Sequence, residues 1–234
     1  MSPNRIGAVS FILLAIYLVM PPLGFTVYSA FRVPPDRLPF EDGVTWGFDN
    51  ILSLYENGLF QNTIVDTLIY TLGAVIFGLL LAVPIAWLIE RTDLPLKNIA
   101  YTLVLFPLMM PPVVTTMSWL LLLGERTGLL NVTFRMIFPF VELGPFDIFT
   151  MYGMIVVQGL SLVPLMFIFI SSSMKNLDPT FEEASQVSGA SFFTTIRRIT
   201  LPMLTPSLLG VVILASIFTL ESFEVPLVLG GGVQ

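Results

Sequence analysis

Residues 148–174 read IFTMYGMIVVQGLSLVPLMFIFISSSM, bounded by Asp147 and Lys175 and free of any charged side chain. An α-helix rising ~1.5 Å per residue needs ~20 residues to cross the hydrocarbon core of a bilayer, and this stretch exceeds that length. A buried helix of a soluble core is usually shorter and keeps a polar edge. Four further stretches repeat the pattern, at 6–31, 67–89, 98–124 and 199–220. They predict an all-α fold, a polytopic transmembrane bundle with five spans. The composition agrees. Of 234 residues 55% are hydrophobic and 11% charged, against about a quarter charged in soluble domains, and the mean hydropathy is +0.89.

The first stretch is longer than the apolar region of a secretory signal, and no small-x-small cleavage site follows it. It is read as an uncleaved span. The chain contains neither cysteine nor histidine, which removes disulfide frameworks, thiolate or imidazole metal sites and the commonest general base. A net charge of −6 identifies no partner, because most acids lie in the loops. Nucleic acid is not an expected partner; the lipid bilayer is.

Basic residues orient the bundle. With the N-terminus in the cytoplasm, Arg5, Arg91, Lys97, Lys175, Arg197 and Arg198 fall inside, mostly in short loops close to span ends. Arg32, Arg37, Arg126 and Arg135 fall outside, and the expectation is N-in. Segment 32–62 is then an external linker with turn residues Pro34, Pro35, Pro39 and Gly43. Its Trp46 and Phe48 suit either the headgroup level or packing on their own loop. The apolar patch 136–141 has the composition of a helix lying on the membrane face. Prolines at 21, 22, 84, 107, 111, 112 and 164 fall within spans, as they do in membrane helices of every kind.

The segment from Lys175 to Arg198, between spans four and five, reads as a helix-turn-helix. Asp178 caps a first helix over 179–188, Pro179 fits its first turn, and Glu182 and Glu183 complement the positive end of its dipole. Gly189 supplies a left-handed stop. Ser191 caps a second helix carrying Phe192, Phe193, Ile196 and Ile199, with Arg197 and Arg198 near its negative end, before Pro202 and Pro206 open span five. Apolar residues exposed there need a partner to cover them, or else the segment lies on the headgroups as an amphipathic linker. The residues alone leave both readings open.

Glu183-Ala184-Ser185, Gly189 and Ile199-Thr200-Leu201-Pro202 resemble the EAA loop of ABC-importer permeases, which runs E-A-A, three residues, G, nine residues, I-x-L-P. Ser185 replaces the second Ala, a small-for-small change. Met151-Tyr152-Gly153 with Gln158-Gly159, Pro107 with Pro111-Pro112, and Gly128-Leu129-Leu130-Asn131 resemble other parts of the same family. The likeness covers about residues 60–234. It implies a permease subunit that moves a small solute by alternating access. Glu182, Glu183, Ala184, Ser185, Gly189, Ile199, Leu201 and Pro202 would form its coupling loop on an ATP-binding subunit. It further implies a second permease half or copy, an extracytoplasmic solute-binding protein, and a bacterial or archaeal inner membrane. No G-x-x-x-x-G-K-[ST] loop occurs, so ATP and Mg are expected on the partner ATPase, with no catalysis by this chain. Domains are expected at 1–60, the first span and linker, and at 61–234, a permease core that family members continue beyond its C-terminus.

Leu220-Glu221-Ser222-Phe223-Glu224-Val225-Pro226 resembles the first half of ferric-iron permeases, with thiamine, phosphonate and polyamine permeases as near relatives. Glu221 and Glu224, three apart, are expected on one helical face. Either they line the translocation path or span five breaks near Pro226 and leaves them at the outer interface. An ion-coupled secondary transporter would show an inverted repeat and paired intramembrane charges. A membrane scaffold would explain the spans and not the loop spacing.

Overall fold

Ala74, Gly78, Ala82 and Ala86 recur every fourth position, and at 3.6 residues per turn that spacing makes one stripe of small side chains. In the computed structural model, which describes residues 3–33, 43, 45–56, 58–140 and 145–232, the three alanines are fully buried. The stripe lies on helix α3 (Leu59–Arg91) and faces helix α7 (Met151–Asn176). A Cβ on Gly159 of α7 would sit 2.7 Å from the Phe77 ring and 2.9 Å from the Ala74 carbonyl. Lipid tails are as apolar as leucine, so helices in a bilayer associate by close backbone approach, and small residues permit it.

The chain divides into two compact units, Met1–Asp66 and Thr67–Gln234. In the first, α1 (Pro3–Ala30) is apolar around its whole circumference. After it, β1 (Arg32–Val33) pairs antiparallel with β2 (Thr45–Trp46), and α2 (Asp49–Glu56) follows. Trp46 packs edge-on against Tyr28 and Phe48 against Phe31, while the Trp46 indole and the Phe48 ring stay largely exposed. The turn prolines at 34, 35 and 39 lie outside the described residues.

In the second unit, α3 leads through α4 (Lys97–Leu105) and a short 3-10 turn (Phe106–Met109) to α5 (Pro112–Leu123). Then come α6 (Leu129–Ile137), α7, the loop helices α8 (Thr180–Val187) and α9 (Phe192–Thr195), α10 (Leu201–Glu221) and α11 (Glu224–Leu229). Phe167, Met166, Ile170 and Met174 of α7 form the core with Ile89 of α3 and Leu204 and Val211 of α10.

Among the described residues four helical segments are long and apolar enough to cross a membrane: 7–30, 60–91, 151–176 and 192–221. The fifth stretch departs from a straight span. Lys97–Met109 and Pro112–Leu123 meet at 106°. Pro111 and Pro112 remove two consecutive donors, and the residue before a proline is driven out of the helical region. Met110 is accordingly extended at φ −96°, ψ 137°. The patch 136–141 is not itself a helix either: α6 ends at Ile137, residues 138–140 do not continue it, and Val141 lies outside the described residues.

Candidate functional site

The loop after α7 takes its shape from three local devices. The Asp178 carboxylate accepts from the Thr180 N–H at 3.0 Å, which starts α8 one residue later than expected. That bond favours the charged form and holds the carboxyl below its ordinary range. At the other end Gly189 adopts φ +85°, the Ala190 N–H donates to the Ser185 carbonyl at 3.1 Å, and the Gly189 N–H donates to that of Gln186 at 2.9 Å. These are the paired bonds of a Schellman stop. Ser191 Oγ then accepts from the Thr194 N–H and opens α9.

The second loop helix is not separate. A five-residue π turn, Ile196–Thr200, joins α9 to α10, with the Leu201 N–H bonded to the Ile196 carbonyl. Pro202 has no N–H, and its ring needs room where the carbonyl four residues back would otherwise sit; one wider turn provides it. Arg197 and Arg198 are therefore exposed on a continuing helix and not at a helix end.

The two neighbouring glutamates of α8 part company. Glu182 turns inward. Its Oε2 lies 3.1 Å from Arg91 Nε at the end of α3, with the distance of an ion pair and not the angle of a hydrogen bond. Its Oε1 accepts from Thr200 Oγ1 at 2.8 Å. Arg91 Nη2 also donates to the Leu177 carbonyl at 3.1 Å. Ser185, one turn along, places Oγ 3.0 Å from Thr195 Oγ1. Glu183, Ala184 and Gly189 are exposed, as are Val187 (90%) and Phe193 (80%). Ile199 is half-buried, and Leu201 and Pro202 are exposed at the foot of α10. The eight loop residues thus split into an anchored face and an open one.

Glu90, next to Arg91, anchors a second set of elements. Its side chain is 4% exposed, accepts from Ser171 Oγ at 2.6 Å, and pairs with Lys97 at 3.7 Å and Lys175 at 3.5 Å. Lys175 Nζ also lies 4.7 Å from the Tyr101 ring centre. Sequence reading used Arg91 only as an orienting charge and passed over Glu90 and Thr200. The adjacent opposite charges ending a span were the available signal.

At the far end of α10 the acids do not share a helical face. Glu221 is the last residue of α10, Ser222 is extended at ψ 122°, and Glu224 begins α11. The break precedes Pro226, which lies inside α11. Glu224 Oε2 accepts from Ser222 Oγ and the Phe223 N–H, both at 3.1 Å. Both acids line a cavity of about 500 Å³, shared with Pro107, Pro112, Thr116, Ser161 and the buried Gln158, whose Oε1 accepts from Ser222 at 3.3 Å. Among the described residues that line it none is basic.

A bundle of apolar helices with such a loop defines a polytopic membrane transport component. The chain belongs to the family of binding-protein-dependent transport system inner membrane components, whose model matches residues 74–234. It is 25% identical to the maltodextrin transport system permease protein MdxF of Bacillus subtilis, over 92% of this chain and 53% of that protein. It is 26% identical to the ferric transport system permease protein FbpB of Actinobacillus pleuropneumoniae, over 97% and 31%. The chain thus spans about half the length, or less, of these curated relatives. Its fold matches a chain from the crystal structure of a bacterial ABC transporter involved in the import of alginate, with TM-score 0.71, 19% identity and coverage of 97% and 76%.

Proposed function

We propose that this chain is a membrane-embedded permease subunit of an ATP-driven importer, with the α8–α9 loop in the cytoplasm as the seat of a separate ATP-binding subunit. The observation that carries the reading is the division of the loop: Glu182 holds α8 to the end of α3 and Ser185 holds it to α9, while Glu183, Ala184, Val187 and Gly189 present an open edge. Val187, 90% exposed on that edge, offers an apolar contact to a partner surface. ATP and Mg bind the partner, which does the hydrolysis; this chain moves solute and catalyses nothing. A second permease half and an extracytoplasmic binding protein complete the assembly. Closure of the motors moves the docked loops and tilts the spans, which requires contacts that differ between two states.

The cavity at the α10–α11 break is the proposed translocation path, with Glu221 and Glu224 on its wall. Two carboxylates, with no basic residue among the described lining, favour cargo with positive charge, and ferric iron is the first choice, ahead of thiamine or a polyamine. Relatives named for maltodextrin and for ferric transport are nearly equal in identity, so likeness alone selects neither. Stimulation of ATP hydrolysis by binding proteins loaded with each solute decides the cargo.

The docking claim is tested by affinity purification from membranes. A tagged wild-type chain should bring down an ATP-hydrolysing subunit, and Gly189→Trp should lose it while still inserting. Capture undiminished by Gly189→Trp, or labelling of residues 178–200 from the outside, would overturn it.

A further inference from the structure

Arg91 stands where three elements meet. It ends α3, pairs with Glu182 of α8 at 3.1 Å and donates to the Leu177 carbonyl at the foot of α7 at 3.1 Å. Through Glu182 it reaches Thr200 Oγ1, in the π turn that begins the last long helix. Its side chain is 12% exposed and that of Glu182 16%, so water competes weakly for either charge. A planar guanidinium with several donors holds orientation as well as distance.

An exposed loop joined to its bundle only by backbone hinges at either end would swing when pushed and transmit little. A loop clamped by a charged pair and a hydroxyl moves with the helices it is clamped to. We infer that Arg91 is a positioning residue for energy coupling: through Glu182 it locks α8 to the end of α3, so that displacement of the loop by the motor becomes displacement of that helix. The inference rests on the docking reading above. It concerns the inward face of the loop, whereas docking concerns the outward one.

Neighbouring Glu90 strengthens the case for a node. Two successive residues send opposite charges in different directions, Glu90 to Lys97, Lys175 and Ser171, and Arg91 to the loop. The end of α3 is thereby tied to α4, α7 and α8, and through Glu182 to the π turn that leads into α10.

The native chain has no cysteine, so an introduced pair can carry spin labels without background. Gln186→Cys on α8 and Asp93→Cys just beyond α3 are both exposed positions. The distance between them is measured in the complex purified with its ATPase, before and after trapping with ATP, Mg and vanadate. In the wild-type background one narrow distance is expected, unchanged by nucleotide. Arg91→Met should broaden it and make it nucleotide-dependent, with the ATPase still captured. The Arg91→Glu/Glu182→Arg exchange should restore the narrow distance. Thr200→Val, which removes one bond to Glu182 and keeps the side-chain shape, should give an intermediate result and serves if Arg91→Met does not assemble. A nucleotide-dependent distance in the wild-type background, or one unaffected by Arg91→Met and Thr200→Val, overturns the inference. A wild-type chain that captures no ATPase overturns the docking reading instead.

Discussion

Ser185 Oγ lies 3.0 Å from Thr195 Oγ1, so the small residue at the third position of the E-A-S triplet ties α8 to α9 and does not face the open edge of the loop. Thr195 is buried, and its hydroxyl also reaches back to the Ser191 carbonyl at 3.3 Å. Ser185→Ala removes one hydroxyl bond and leaves Thr195 a remaining partner. The expected cost is about 1 kcal/mol or less, read as a small fall in the melting temperature of the detergent-purified chain. Capture of the ATPase should be unchanged. A large loss of capture from this substitution would mean that position 185 faces the partner.

Gly189 sits at φ +85° with open space where a Cβ would be, so the demand is on the backbone and not on packing. A side chain there pays the left-handed penalty, roughly 1–2 kcal/mol for most residues and less for asparagine. Gly189→Asn should therefore keep substantial ATPase capture, and Gly189→Val, with its β-branch, should lose it. Equal behaviour of the two variants would show that the position is governed by bulk at an interface rather than by conformation.

Glu182 and Glu183 are neighbours with opposite assignments, and they separate stability from docking. Glu182→Gln leaves Arg91 without its charged partner in a poorly hydrated site, so a loss of about 2 kcal/mol is expected by thermal unfolding. Glu183→Gln alters an exposed group on the open edge of the loop, and its effect on unfolding should stay within about 0.5 kcal/mol. ATPase capture should respond in the reverse order, more to Glu183 than to Glu182. If both variants shifted the melting temperature alike, the inward–outward division of α8 would be wrong.

The spans were legible because crossing a membrane requires length and the absence of charge, and both are linear properties of a sequence. Gly189, Ser191 and Asp178 were legible for a related reason: caps and stops act within five residues, and each was found at work. What remained hidden depends on distance along the chain. The partner of Glu182 lies 91 positions earlier by residue number, at Arg91, and nothing in either local sequence indicates that they meet. Helix continuity was misread for a different reason. Pro202 suggests a new helix start, yet a π turn absorbs the missing donor and lets α9 run into α10. The same residue type marks the break in the third span, where Met110, the residue before Pro111, is extended and the two halves meet at 106°.

Asn131 shows what a fully used buried amide contributes to the turn between α5 and α7. It is completely buried, and its Nδ2 approaches the carbonyls of Leu123 at 3.1 Å, Gly124 at 3.0 Å and Phe146 at 2.8 Å. Its Oδ1 accepts from the Phe146 N–H at 3.1 Å. Two amide hydrogens are shared among three carbonyls, so the group acts as a donor hub that closes α6 against both flanking segments. Asn131→Ala strands those backbone groups and should cost about 3 kcal/mol, the sum of more than one unsatisfied buried partner. Asn131→Asp should be worse, because an acceptor replaces the donor and faces three carbonyl oxygens. Ranking the two by melting temperature separates the explanations: loss of packing alone would make the near-isosteric Asp the milder change, while loss of the donor makes it the more severe one.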